Sequence, residues 1–202
     1  MPRSLFFVLI SLSLIWGGSY FFIKILLEDF GPWTIAFLRS SLGLATIIMI
    51  MLISKQKMGL RRIPWIAMTI MALINTAIPW AIIGFSETRL TSSMASVLNA
   101  ITPLWTVAIG VIFFKSRTNR YKLLGMAVAV LGVIALLDLN PTSIISVDLL
   151  GFVCMILASL LYAIGSHLSK RLSNGLTMYQ ITFGTLLCCM IGSGSMAIAT
   201  NE

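Results

Sequence analysis

The residues of this 202-residue chain that could do chemistry lie inside long apolar runs, where a polar side chain is costly unless it faces a cavity or a partner helix. Ser13, Trp16, Gly17, Tyr20 and Lys24 recur at steps of three or four in the first run, which places them on one helical face. That face reads either as a cavity wall or as a packing and interface-anchoring surface. Lys24, near the end of its run, reads first as a side chain that snorkels toward water. Arg39 stands about two helical turns inside the second run, deep enough to need a partner. It either locks onto Glu28, Asp29 or backbone carbonyls, or attracts an anionic group of a solute. The third run holds Asn75, Thr76, Pro79 and Trp80; the fourth presents Ser92, Ser96, Asn99 and Pro103 at steps of four, three and four. Proline in a membrane helix frees a carbonyl one turn earlier, and such backbone is tolerated where it lines protein or a water-filled cavity. Asn99, beside that break, is the leading cavity residue. With Tyr162 of a later run, the expected substrate-contacting set is Trp16, Tyr20, Arg39, Asn75, Trp80, Asn99, Pro103 and Tyr162. Aromatic walls with a few polar groups suit an amphipathic organic solute better than a bare ion.

Other chemistries lack their residues. The chain contains no Gly-rich phosphate loop followed by Lys, no Gly-x-Ser-x-Gly, no His-Glu-x-x-His and no pair of intramembrane carboxylates, which argues against an ATP-driven pump and most membrane hydrolases. We read it as a non-enzyme without cofactor or metal. His167, the sole histidine, lies beside Lys170 and Arg171 and cannot form a histidine cluster; a part in proton transfer is its functional reading. Cys154, Cys188 and Cys189 sit within apolar runs and behave as small hydrophobes. The net charge of +8 is not a nucleic-acid signature, because the basic residues crowd at the edges of apolar runs and no nucleic-acid motif accompanies them.

These side chains must be positioned by membrane helices. Apolar residues make up 58% of the chain and charged residues 10%, against about 25% charged in a soluble domain. A crossing takes about 20 apolar residues. Leu5 to Leu27, Trp33 to Ile53, Trp65 to Phe85, Ser93 to Phe114, Leu149 to Ser169 and Met178 to Ala199 meet that length. Leu123 to Leu137 is short but spans if Arg120 and Lys122 snorkel, and its Gly125, Ala129 and Gly132 suit close helix packing. A secretory signal at the start competes with the first span, but the apolar run continues through Leu27, which favours a span. The fold class is therefore an all-α polytopic bundle of seven spans.

The six acidic residues fall in alternate gaps: Glu28 and Asp29, then Glu87, then Asp138 and Asp148, then Glu202. Lys55, Lys57, Arg61 and Arg62, then Lys115, Arg117, Arg120 and Lys122, then Lys170 and Arg171 occupy the others. Short loops rich in Lys and Arg stay cytoplasmic, so the N-terminus is expected in the cytoplasm and Glu202 outside a plasma or inner membrane.

Sliding the chain by 146 residues lays Leu14 on Leu160, Trp16 on Tyr162, Lys24 on Lys170, Leu26 on Leu172, Trp33 on Tyr179 and Phe37 on Phe183. The copies are five spans apart, so the second is inverted, a recurrent construction of secondary transporters. Leu14-Ile15-Trp16-Gly17-Gly18-Ser19-Tyr20 with Lys24, then Pro32 and Ala36-Phe37-Leu38-Arg39, resembles the opening of the EamA domain of the drug/metabolite transporter superfamily. Thr91 to Leu98, Pro103-Leu104-Trp105, and Leu124-Gly125 to Leu131-Gly132-Val133 resemble its spans 3 to 5, and Gly151 to Arg171 the start of its second repeat. The resemblance implies ten helices in two inverted five-helix repeats, residues 1–142 holding the first and 143–202 the beginning of the second. It also implies export of small metabolites, such as amino acids or amphipathic compounds, through a central cavity by alternating access, and suggests proton exchange as the coupling. Two departures stand out. Lys115-Ser116-Arg117 lacks the family's Glu after span 4, and spans 8 to 10 are absent, as in a truncated product or an incomplete gene model.

Two other classes compete. A seven-helix receptor needs its N-terminus outside, and span 7 has no lysine for a retinal Schiff base. A non-transporting membrane assembly subunit, or an inactive truncated transporter, would keep the polar faces as helix glue.

Overall fold

The computed structural model describes residues 3–56, 59–114, 119–136 and 148–202. Lys57, Lys115, Ser116, Arg117, Asp138 and the proposed repeat boundary at 142–143 lie outside these residues. The described elements are helical: α1 (Arg3–Leu26), α2 (Pro32–Ile53), a single 3-10 turn (Leu60–Arg62), α3 (Trp65–Ala72), a π turn (Leu73–Ala77), α4 (Ile78–Glu87), α5 (Ser92–Asn99), α6 (Thr102–Phe114), α7 (Arg120–Leu136), α8 (Leu149–Leu172) and α9 (Met178–Thr200). Among the described residues, six stretches are long and apolar enough to cross a membrane: Leu5–Leu26, Pro32–Ile53, Trp65–Glu87, Ser92–Phe113, Leu149–Leu172 and Met178–Thr200. The chain is a multi-pass membrane protein. Helix α7, at 17 residues, is the short one the sequence marked.

Local chemistry sets the helix starts. Pro32 opens α2 where its missing N–H would be unpaired anyway. Thr91 and Asp148 accept from the backbone N–H of Met94 (3.3 Å) and Gly151 (2.8 Å) at the heads of α5 and α8. Thr177 and Gln180 form a reciprocal capping box on α9.

Two spans are interrupted at their prolines. Pro79 has no N–H for the carbonyl of Asn75, and the backbone passes through a π turn at Leu73–Ala77 just before it. Pro103 likewise cannot bond the carbonyl of Asn99, and α5 and α6 are separated by a turn at Ala100 and Ile101. The Thr102 hydroxyl donates to the freed Asn99 carbonyl at 2.7 Å.

Packing is dominated by α9 along α2 and by α8 against α4, α5 and α6. One apolar core joins Tyr20, Ile23, Ile35, Ile83, Leu98 and Met155; another joins Leu44, Met51, Ile63, Met68, Phe183 and Cys188. Phe6, Phe7, Leu14 and Ile15 of α1 are exposed, an apolar face suited to lipid. The expectation that Gly125 and Gly132 mark a close helix contact is corrected, since among the described residues a Cβ at either would meet nothing.

The loops of the acidic gaps gather at one end of the bundle. Lys24 donates to the carbonyls of Glu87 and Leu90, Arg89 pairs with Asp148 at 2.9 Å, and the Glu202 carboxylate accepts from Trp33 N–H at 2.7 Å. At the other end Met51 and Ile63 share a core cluster with Leu172 and Leu176.

Candidate functional site

The site is built where the two interrupted spans face α1 and α8. A cavity of about 740 Å³ is lined by Trp16, Gly17 and Tyr20 from α1, Asn75 from the π turn, Ser96 and Asn99 from α5, Pro103 from α6, and Tyr162 and Ser166 from α8. A second cavity of about 370 Å³ shares Trp16, Asn75 and Tyr162 with the first and adds Arg39, Thr76 and Trp80. The eight residues singled out in the sequence thus line one or the other of two spaces with three of those residues in common. Their placement follows from helical period: Ser13, Trp16, Gly17 and Tyr20 share a face of α1, and Ser96, Asn99 and Pro103 share a face across the α5–α6 break. Both asparagines stand four residues before a proline, so each brings a side-chain amide and a helix carbonyl lacking its usual N–H to the same wall.

Depth differs among these residues. Tyr20 and Asn99 are buried; Trp16 is largely exposed. Arg39 is half-buried with its guanidinium 4.3 Å from the centroid of the Trp80 ring, a cation–π stack. That stack takes the place of the lock with Glu28 or Asp29 that the sequence allowed. Lys24 spans from α1 to the carbonyls of Glu87 and Leu90, at the end of α4 and in the turn after it, a favourable place for a cation because the last carbonyls of a helix form the negative end of its dipole. His167 is engaged through Nε2 with the carbonyl of Thr106 at 3.0 Å, tying α8 to α6.

The residue that sequence reasoning missed is Glu87. Its charge groups it with the other acids in the gaps between apolar runs, and the sequence shows no pair of intramembrane carboxylates. The structure corrects this: Glu87 is the last residue of α4, fully buried, and neither carboxylate oxygen has a hydrogen-bond partner among the described residues. The signal available was its position only two residues beyond the apolar run that ends at Phe85.

An all-helical bundle of apolar spans that forms an open-sided cavity with aromatic and amide walls defines a multi-pass membrane protein with room for an organic solute. The chain belongs to the EamA-like transporter family, whose model matches residues 3–137. It is 24% identical over 162 residues to the uncharacterized transporter YoaV of Bacillus subtilis (strain 168), a match covering 80% of this chain and 56% of that protein. It is 26% identical over 170 residues to the uncharacterized inner membrane transporter YedA of Escherichia coli (strain K12), covering 84% of this chain and 54% of that protein. Protein PagO of Salmonella typhimurium is 22% identical over 189 residues, covering 94% of this chain and 61% of PagO. The chain spans little more than half the length of these relatives.

Proposed function

We propose that this chain carries the substrate cavity of a secondary transporter that exports small metabolites, such as amino acids or amphipathic compounds, by alternating access. The observation that carries the reading is the cavity of about 740 Å³ bounded by Trp16, Tyr20 and Tyr162 and by two asparagines at interrupted helices. Irregular backbone at membrane depth belongs where it lines a solute path. Trp16, Tyr20 and Tyr162 would hold the apolar part of the solute; Asn75 and Asn99 would hydrogen-bond its polar part; the break at Pro103 would let one half of the span move against the other. Arg39, stacked on Trp80 in the adjoining cavity, would draw an anionic group inward. Residues 1–142 form one repeat and 143–202 the beginning of an inverted second one in this reading. The segregation of charge supports a cytoplasmic N-terminus with the cluster of acidic loops outside.

The test is accessibility. In a chain freed of its three native cysteines, a cysteine at Asn99 or Tyr20 should react with a small water-soluble thiol reagent, and a solute that occupies the cavity should slow the reaction. Cysteines at Ile47 and at Val128 should stay unreactive. Equal inertness at all four positions would overturn the cavity reading and favour an assembly subunit whose polar residues glue helices together. Arg39→Leu should insert normally, since it removes a costly charge, and should lose export.

A further inference from the structure

The two cavities meet along a wall that they share, built by Trp16 of α1, Asn75 of the π turn and Tyr162 of α8. Their linings differ in charge. Every described residue that lines the larger space is uncharged, whereas the smaller one contains Arg39. No described acidic residue lines either, and Glu87 is outside both. The Arg39 guanidinium is held by its stack on Trp80, 4.3 Å from the ring centroid, and among the described residues it makes no hydrogen bond or ion pair. Stacking consumes no N–H donor, so the fork that meets a carboxylate through two parallel N–H···O bonds stays available. A lone cation at membrane depth is costly, and an incoming anion would offset that cost. An ammonium group finds no such partner. Among the described linings it meets hydroxyls, amides and rings but no carboxylate, and the Asn99 carbonyl freed by Pro103 already accepts from Thr102.

We infer that the two cavities form one bipartite site for an amphipathic monocarboxylate that carries no ammonium group. Its carboxylate sits on Arg39 in the smaller space. Its apolar body crosses the shared wall and lies against Trp16, Tyr20 and Tyr162 in the larger one, whose volume of about 740 Å³ is within the range of pockets for organic ligands. The inference rests on the reading of the cavity as a solute site and narrows it to amphipathic acids, because a free amino acid would bring a second charge with nothing to balance it. One charge at one end of the site and an uncharged wall at the other also fix the direction in which the solute lies.

Three probes of one skeleton test it on the purified full chain in detergent, freed of its native cysteines and carrying Ser96→Cys at the wall of the larger cavity. N-acetylphenylalanine is the monoanion, its amide the neutral counterpart, and phenylalanine the zwitterion. The monoanion should halve the rate of thiol labelling at a concentration at least about tenfold below that needed with either of the others, as expected for a hydrogen-bonded charge. Arg39→Gln should erase that preference, leaving the anion and its amide equal. Arg39→Lys, which keeps the charge and loses the fork, should retain only part of it. Protection by phenylalanine or by the amide as good as by the monoanion overturns the proposal, and so does a preference that survives in Arg39→Gln or labelling that no probe slows; in each case the labelling itself leaves the cavity in place. The comparison of the three probes on unaltered Arg39 decides the matter even where a variant fails to fold. A Ser96→Cys chain that never labels overturns the cavity reading and this proposal with it.

Discussion

Asn75 sits so tightly against Gly165 that a Cβ built on the glycine would lie 2.7 Å from the Asn75 Cα and inside its side chain. The contact joins the π turn of the third span to α8 and fixes Asn75 at the wall between the two cavities. Because the obstacle includes backbone, Gly165→Ala should push the π turn away from α8 and destabilise the protein by about 1–3 kcal/mol, as overpacking does. Thermal unfolding in detergent measures it. Gly125→Ala, where a Cβ meets nothing among the described residues, should leave unfolding unchanged or slightly raise its temperature.

Lys24 tests a different contact. Its ammonium donates to the carbonyls of Glu87 and Leu90, and removing it leaves both acceptors without that donor. Lys24→Met should lower stability by about 1.5–3 kcal/mol, the range for hydrogen bonds to charged groups, and Lys24→Arg should recover part of it. A Met variant as stable as the parent would return Lys24 to the role of a headgroup anchor.

Glu202 lies across the first turn of α2, accepting from Trp33 N–H at 2.7 Å and Thr34 N–H at 3.2 Å. A carboxylate at a helix N-terminus satisfies open donors and complements the dipole. Gly31 leaves the room for it, since a Cβ there would collide with the Glu202 side chain. Glu202→Gln and Gly31→Ala should each produce a small loss of stability, and the double variant should lose less than their sum, because both act on one contact. Additive losses would show that the two positions act separately.

Asp148 gives a pH dependence whose sign is fixed. The Gly151 backbone N–H, and then the Arg89 guanidinium, hold its carboxyl below the ordinary carboxylate range. A folded-state value lower than the unfolded one contributes stability that is present above the unfolded value and lost as pH falls through the folded one. The difference in unfolding temperature between the parent and Asp148→Asn should therefore be largest at neutral pH and shrink as pH falls below the ordinary aspartate value of about 3.9. A gap that persists unchanged in acid would mean that the side chain acts through packing and not through charge.

Much of this protein was decided by the sequence alone. Run length marks the six long spans because the hydrocarbon thickness is fixed, and the alternation of acidic and basic gaps sorts the loops to two ends. Helical period put Trp16 with Tyr20 and Ser96 with Asn99, and the prolines at 79 and 103 marked the two interruptions. Period assigns a residue to a face, however, and does not say which helix lies opposite. Only the packing of α1 and α8 around the two breaks formed a cavity, and only the placing of Trp80 under Arg39 replaced an ion pair with a stack. Glycine spacing in α7 suggested a tight contact that no described residue makes, because a small residue permits close approach without supplying a partner. Glu87 shows the same limit most plainly. Its charge assigned it to a loop, and it is buried because α4 continues past the apolar run and neighbours from α1, α2 and α5 close over its side chain, an arrangement of segments up to about 70 residues apart that no local pattern records.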